Sequence, residues 1–289
     1  MPQGLTLCYA PGMNLPDKKL SVKIIACDLD DTLLTDELSI SPRTVRAVQA
    51  AAAQGIYIVL ASGRVDHAIL PFVRVLDCAG LEAGRYIIAQ NGAALYDLHA
   101  RDLIYSRTVP TEVARFVYRE AQARALPVQV YDATTIYTSF DNPWSQKDAE
   151  LSKLQLTIVD NYEQLLSKSF PKIVIPAAVD SVRAFQLFLT DALTGRAEIF
   201  TSKPYFLEIM PPECGKGESL LWLAQKLDIP RAQTMAFGDG MNDISLLTQT
   251  AYGVAMCNGH ADVQACARYV TRFDNNHDGI ADFLEEFVL

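Results

Sequence analysis

The sequence predicts an α/β protein: a doubly wound parallel sheet into which a second, α+β unit is inserted. Three observations carry that reading. Short apolar runs alternate with helical stretches from Val22 to Asn91, and again from Lys216 onward. Between about Ala93 and Lys203 the strand-like runs instead alternate apolar with polar residues, the habit of a sheet with one wet face. Third, the apolar run Val22–Cys27 ends in Asp28, Asp30 and Asp31, although an unpaired buried carboxylate is expensive there.

The first run, VKIIAC, is nearly continuous in apolar residues, as a parallel strand buried on both faces requires. SISP at 39–42 signals a helix start, so RTVRAVQAAAAQG reads as a helix closed by Gly55. IYIVLASGR is the next strand and ends in small polar residues. A helix over 66–76 follows, and then the strand YIIAQNGA. Such βαβα order favours an open parallel sheet with helices on both faces. Strands then fall in ALYDLHARDLIYSRTV, PVQVYDATTIYTSF, KIVIPAAV and AEIFTSKPYFLEIM, with helical stretches over 112–125 and 181–193. The first pattern resumes in the helix GESLLWLAQKLDI, the strand TMAFGD, the helix NDISLLTQT and the strand YGVAM. The expected division is a loosely held arm at 1–21, a core at 22–92 and 204–289, and an inserted unit at 93–203. Gly92 frees one linker and Pro204 restricts the other, so hinges are expected at both.

At 289 residues, half of them apolar, the chain can bury the cores of two domains. The formal charge of −9 and the lack of a Lys/Arg-rich run argue against a nucleic-acid partner. Six cysteines (Cys8, Cys27, Cys78, Cys214, Cys257 and Cys266) are scattered without a CxxC pair, as reduced thiols would be. His67, His99, His260 and His277 show no ligand spacing. The N-terminus lacks the basic start and apolar core of a signal peptide, and no run is long enough to span a membrane. A cytoplasmic monomer or homodimer is the expectation, with no membrane partner.

In an open α/β sheet, ligands collect beyond the carboxyl ends of the strands. Those ends here carry Asp28 and Asp30, then Ser62, Asn91, and Asp239 with Asp243. Taken singly, each has a plainer reading. Asp31 or Thr32 fits a turn or helix cap, Ser62-Gly63 an ordinary strand-to-helix turn, and Lys216 a solvated lysine. Together they make a different case. Carboxylates on two strand ends suit a hard divalent cation such as Mg²⁺. A hydroxyl and an ammonium nearby supply what phosphoryl oxygens require.

DLDDTLL, ASGR, GKGESL and GDGMNDISLL, in that order, resemble the four signature motifs of the haloacid-dehalogenase-like phosphatases. The segment QNGA, the insertion after it and the C-terminal tail resemble the Cof-type branch, whose cap sits between the second and third motifs. The resemblance covers the chain from Val22 to its end. It implies a Rossmann-like core with an inserted α+β cap that selects the substrate. It also implies Asp28 as nucleophile, Asp30 as general acid/base, and Ser62 and Lys216 as holders of the transferring phosphoryl group. Asn242 occupies the position that in this family lies near the phosphate, and Gly63, Arg64 and Asn91 are candidates for binding phosphate or substrate. Asp28, Asp30 (through its carbonyl), Asp239 and Asp243 would hold Mg²⁺, with Asp243 as the supporting carboxylate. Asp31 stands where this branch often has Gly, and Cys257–His260 where it often has Asn-Ala; neither departure removes a catalytic group.

The implied reaction is Mg²⁺-dependent hydrolysis of a small phosphorylated metabolite, sugar phosphates first, through an aspartyl-phosphate. Asp30 is expected to keep a proton because a neighbouring carboxylate raises its pKa. A phosphotransferase or phosphomutase on the same fold is the near alternative, and a non-catalytic regulatory binding protein the distant one. Tyr131, Asp132 and Trp144 are candidate cap residues facing the cleft, although an aromatic in such a position more often packs than recognises a ligand.

Overall fold

The computed structural model describes residues 14–132 and 134–289, arranged around two sheets. The strands are β1 (Ile24–Cys27), β2 (Tyr57–Ala61), β3 (Tyr86–Ala89), β4 (Ala94–Asp97), β5 (Asp102–Ser106), β6 (Gln129–Tyr131), β7 (Thr135–Thr138), β8 (Gln155–Ile158), β9 (Ile173–Pro176), β10 (Glu198–Lys203), β11 (Phe206–Met210), β12 (Thr234–Gly238), β13 (Tyr252–Ala255) and β14 (Tyr269–Val270). The larger sheet runs β14-β13-β12-β1-β2-β3-β4-β5. Its pairings are parallel from β14 to β3, and β4 and β5 add an antiparallel edge. This is the α/β, Rossmann-like core expected from the sequence.

Side chains of β1 divide between two cores, Ile25 and Cys27 on one face and Ile24 and Ala26 on the other. Burial on both faces is why the strand reads as an unbroken apolar run. The chain order reverses at β1, with β2 on one side and β12 on the other. Crevices form at such a reversal because the flanking crossovers leave in opposite directions. Asp28 and Asp239 follow those two neighbouring strands directly.

Helix boundaries track the local signals. Ser41 caps the helix Pro42–Ala53 by accepting from Thr44 N at 3.1 Å, and Gly55 takes a left-handed φ of 77° beyond its end. The expected helix over 66–76 is found as Asp66–Leu76. Helix Pro143–Ser152 was not foreseen, although Asn142 accepts from Ser145 N and Pro143 sits at its first turn. Only Ser145 of this helix is buried, so no apolar stripe announced it.

The smaller sheet runs β10-β11-β9-β6-β7-β8 and is antiparallel except for β7 with β8. Four expectations need correction. Residues 94–106 belong to the larger sheet, since β4 pairs with β3 and an edge hairpin alternates just as an inserted sheet does. Residues 206–210 belong to the smaller sheet, so the chain changes sheets within 107–128 and 211–215 rather than at 93 and 203. Gly92 is no free hinge: its φ is 95°, and a Cβ there would lie 2.1 Å from the Gly215 carbonyl oxygen. Nor is one face of the smaller sheet wet throughout. Every residue of β9 and β11 is buried, one face lying on the helices at 111–122 and 179–192 and the other meeting helix Pro143–Ser152 and a cavity between the two sheets.

Of the expected arm, residues 1–13, Cys8 among them, lie outside the described residues. Residues 14–21 are held rather than loose. Asn14 Nδ2 donates to the Arg268 carbonyl at 2.9 Å, and Leu20 N to the Phe287 carbonyl at 2.7 Å. Among the described residues, no helix is long and apolar enough to cross a membrane.

Candidate active site

Lys216, the first residue of the helix Lys216–Lys226, is fully buried at the bottom of the crevice. Its Nζ donates to Asp28 Oδ1 and, at 2.7 Å, to Asp243 Oδ1. Asp243 Oδ2 accepts from the backbone N–H groups of Asp239 and Gly240 at 3.1 and 3.0 Å, tying down the turn after β12. Thr32 Oγ1 donates to Asp239 Oδ1 at 2.6 Å and orients that carboxylate. Asp28, Asp239 and Asp243 each offer an oxygen, and the three oxygens lie within 4.8 Å of one another.

One ammonium cannot neutralise three carboxylates. Burial, with Asp243 beside it, pushes the Asp28 carboxyl well above its ordinary range despite Lys216. The same two causes push Asp239 up to about 7. Burial works against the charge of Lys216, but Asp243 and Asp28 outweigh it and raise its pKa. The excess negative charge is what a hard divalent cation would satisfy, and an all-oxygen set suits one. None of the four histidines joins this group.

Asp30 departs from expectation. Its carboxylate does not join the group of three and takes two bonds from Arg64, from Nε at 2.9 Å and from the terminal Nη2. Burial raises its pKa, but the Arg64 hydrogen bonds and charge win and hold it below the ordinary range. The expectation of a proton retained on Asp30 is therefore corrected: an arginine, not a carboxylate, is its nearest charged neighbour. Asp31 sits at φ 60°, the left-handed conformation that favours glycine and that aspartate tolerates. Its carbonyl accepts from Asn258 Nδ2 at 2.7 Å, so the two departures from the family pattern touch each other.

The loop after β2 is bound to the end of β3. Ser62 N donates to the Ile88 carbonyl at 2.9 Å, and Asn91 N to the Ser62 carbonyl at 3.0 Å. Arg64 N donates to Ser62 Oγ at 3.2 Å. Asn242 Nδ2 donates to Asn91 Oδ1 at 2.9 Å, which brings the loops after β3 and β12 together. Ser62, Gly63, Arg64 and Asn242 line one cavity of about 360 Å³ with Asp28, Asp30 and Asp239. Asn91, Lys216 and Asp243 lie behind that wall, hydrogen-bonded to it.

The opposite wall comes from the smaller sheet and its helix: Tyr131, Asp148, Leu151, Lys172, Phe206 and Glu208. Tyr131, whose OH donates to Asp148 Oδ2 at 2.5 Å, faces the cavity as expected. Asp132 and Trp144 do not line it. Asp132 is exposed and caps its own turn, and Trp144 stacks on Tyr205 at 5.2 Å. Asp148, Lys172 and Glu208 were not foreseen. A sequence signal existed for Glu208, a lone carboxylate in the strand FLEIM that burial obliges to find a partner.

The chain matches the family model of the haloacid dehalogenase-like hydrolases over residues 25–284. It is 30% identical to a Streptococcus pyogenes serotype M6 protein carried under a provisional phosphatase name, over 93% of this chain and 100% of that one. It is 28% identical to an HMP-PP phosphatase of Escherichia coli O6:H1, over 87% of this chain and 95% of the relative. The crystal structure of a haloacid dehalogenase-like hydrolase from Bacteroides thetaiotaomicron superposes with a TM-score of 0.80 at 30% identity, covering 91% of this chain and 98% of that one.

Proposed function

The chain belongs to the haloacid dehalogenase-like hydrolases and is a phosphatase, and we propose that it hydrolyses small phosphorylated metabolites, sugar phosphates first, through a phosphoryl group carried on Asp28. One observation carries this reading: Asp28, Asp239 and Asp243 converge around a fully buried Lys216 at the floor of a cavity large enough for a small ester. Asp28, Asp239 and Asp243 would hold Mg²⁺, which would offset the repulsion between a carboxylate and an anionic phosphate. Asp28 attacks phosphorus in line and Lys216 and Ser62 stabilise charge on the equatorial oxygens. For Asp30 to protonate the leaving oxygen, Arg64 must first exchange it for a phosphoryl oxygen; the freed carboxyl then takes up a proton, and later activates water. The residues that change sheets within 107–128 and 211–215 make the smaller sheet a cap over this floor.

Release of inorganic phosphate from a panel of phosphorylated metabolites, with product analysis for phosphate passed to a second hydroxyl, tests the reaction and separates hydrolysis from transfer. Turnover is expected to vanish on chelation and return with Mg²⁺, while Ca²⁺, which prefers more ligands and looser geometry, inhibits. Full turnover after confirmed metal removal would overturn the assignment.

Stability adds a pH-dependent check. Between about pH 4 and pH 7 Asp239 is ionised in the unfolded chain but protonated in the metal-free fold, so that fold loses stability as pH rises through the window. Metal binding needs the ionised form, so the gain in Tm from Mg²⁺ is expected to be larger at about pH 8 than at about pH 5.5. Equal gains at both would count against these carboxylates as ligands.

The far wall sets selectivity in this proposal. Asp148→Asn and Phe206→Leu are expected to change relative kcat/KM among phosphate esters by about tenfold or more while sparing a small generic ester. Parallel losses on every ester would show that the wall does not read the leaving group.

A further inference from the structure

A ring of buried side chains joins the smaller sheet to the phosphate-side loops. Lys172, beside β9, and Glu208, on β11, are 8% and 3% exposed. Lys172 Nζ donates to Glu208 Oε2 at 3.3 Å and, across to the larger sheet, to the Gly63 carbonyl at 3.3 Å. Glu208 Oε2 also accepts from Asn91 Nδ2 at 2.7 Å, and Asn91 Oδ1 from Asn242 Nδ2 at 2.9 Å. The ring closes because a Cβ on Gly63 would meet the Asn91 side chain at 3.0 Å.

A buried lysine needs a counter-charge, and Glu208 supplies it. The Tyr131 ring, 5.1 Å from Nζ, adds a weaker cation–π contact. Glu208 occupies one of the three ammonium donors, and the Gly63 carbonyl accepts from a second. That bond has a geometric consequence. The peptide joining Gly63 to Arg64 is a rigid trans plane, so its carbonyl and the Arg64 N–H point in opposite directions. The carbonyl is on Lys172, and the N–H is on Ser62 Oγ at 3.2 Å. With an oxygen lone pair occupied in this way, the Ser62 hydroxyl is left to donate its own proton elsewhere. Ser62 lines the cavity beside Asp28.

We propose that Lys172 is a positioning residue for phosphoryl binding: from the smaller sheet it holds the Gly63 carbonyl, which aims the Arg64 N–H at Ser62 and sets the Ser62 hydroxyl as a donor to the phosphoryl group. This rests on the reading of Ser62 as a phosphoryl-binding residue. A residue of the far cavity wall thus also sets the loop proposed to hold the phosphate, so docking of the smaller sheet and order at the reacting end are coupled.

Five variants of the full chain test this, read by vanadate inhibition and by kcat on p-nitrophenyl phosphate. Vanadate mimics the phosphoryl group without a leaving group. Lys172→Met with Glu208→Gln removes both charges together and leaves no lone buried ion. This pair and Ser62→Ala are each expected to weaken vanadate inhibition and lower kcat by about tenfold or more. Lys172→Arg, which keeps a cationic donor, should retain most of both. Combined with Ser62→Ala, the charge-free pair should cost nothing further, because both act through one hydroxyl. Should the pair fail to fold, Lys172→Gln alone is expected to move vanadate inhibition the same way. Fully additive losses with Ser62→Ala, or unchanged vanadate inhibition with altered ester selectivity, would overturn the positioning role alone. A Ser62→Ala protein that binds vanadate like the parent would overturn both this role and the reading of Ser62.

Discussion

An Asp28→Asn variant is expected to lose turnover by about four orders of magnitude or more, the scale set by removing a nucleophile that works as part of a unit. The amide nitrogen and oxygen are poor nucleophiles toward phosphorus, and no other carboxylate stands ready to replace Asp28. Asp30 is engaged with Arg64, Asp243 is fully buried beneath Lys216, and Asp239 is bound by Thr32. The fold should survive. Asp28 is one of three carboxylates around one ammonium, so losing its charge relieves repulsion in the metal-free protein. Melting temperature without metal should therefore hold or rise while activity disappears. Acid-quenched protein incubated with a labelled ester would carry no acyl-phosphate. A trapped phosphoenzyme on the variant, after mass spectrometry has excluded deamidation to Asp, would remove Asp28 from the mechanism.

Asp30→Asn separates the two carboxylates further. It should slow turnover most for alkoxide leaving groups and least for nitrophenolate, which departs without a proton. The loss of Arg64's partner gives this variant a second signature, a freer guanidinium beside the phosphoryl site. Equal losses on both leaving groups would mean that Asp30 positions Arg64 rather than moving a proton.

What the sequence revealed and what it hid follow from the range of the interactions involved. Asp28, Ser62 and Asp239 were legible because each interrupts an apolar strand at its carboxyl end, a local anomaly with few explanations. Lys216 was legible only in company; alone it is one more helix-start lysine. The state of Asp30 was misjudged because its controlling partner, Arg64, is on a different strand end and the two meet only when β1 and β2 pair. Lys172 and Glu208 were missed for the same reason. Their ion pair exists because β9 and β11 are neighbours in the smaller sheet, a pairing between segments far apart in sequence. The sheet exchange was misplaced because β4 and β5 alternate like the strands of the insertion, although they extend the core. Alternation reports one covered face and not which sheet a strand joins.

Lys216→Met is expected to produce the largest loss of stability. The side chain is completely enclosed, and its ammonium bridges Asp28 and Asp243. Methionine fills much of the same space, so packing is nearly retained and the change is electrostatic. Two carboxylates are then left in a dry site without their cation, which costs about 3–5 kcal/mol when they stay ionised. They can escape part of that cost by protonating. Asp28 is already pushed upward by burial and by Asp243, and removing Lys216 takes away the one influence that lowers it. The deficit should therefore be small in mild acid, where a proton replaces the ammonium, and should grow as pH rises and the unfolded chain ionises first. Added Mg²⁺ should recover part of the stability, since it would bring positive charge to the same carboxylates. It should not recover turnover, because in the proposed mechanism Lys216 also stabilises the transferring phosphoryl group. Urea denaturation with and without metal at two pH values, alongside kcat, reads all of this. Adding Asp243→Asn to Lys216→Met removes a carboxylate with the cation, and the double variant should be more stable than the single one without metal. A Lys216→Met protein as stable as the parent in chelator at alkaline pH would mean that the buried carboxylates do not depend on this lysine. One that regained full kcat with Mg²⁺ would leave Lys216 with a structural role only.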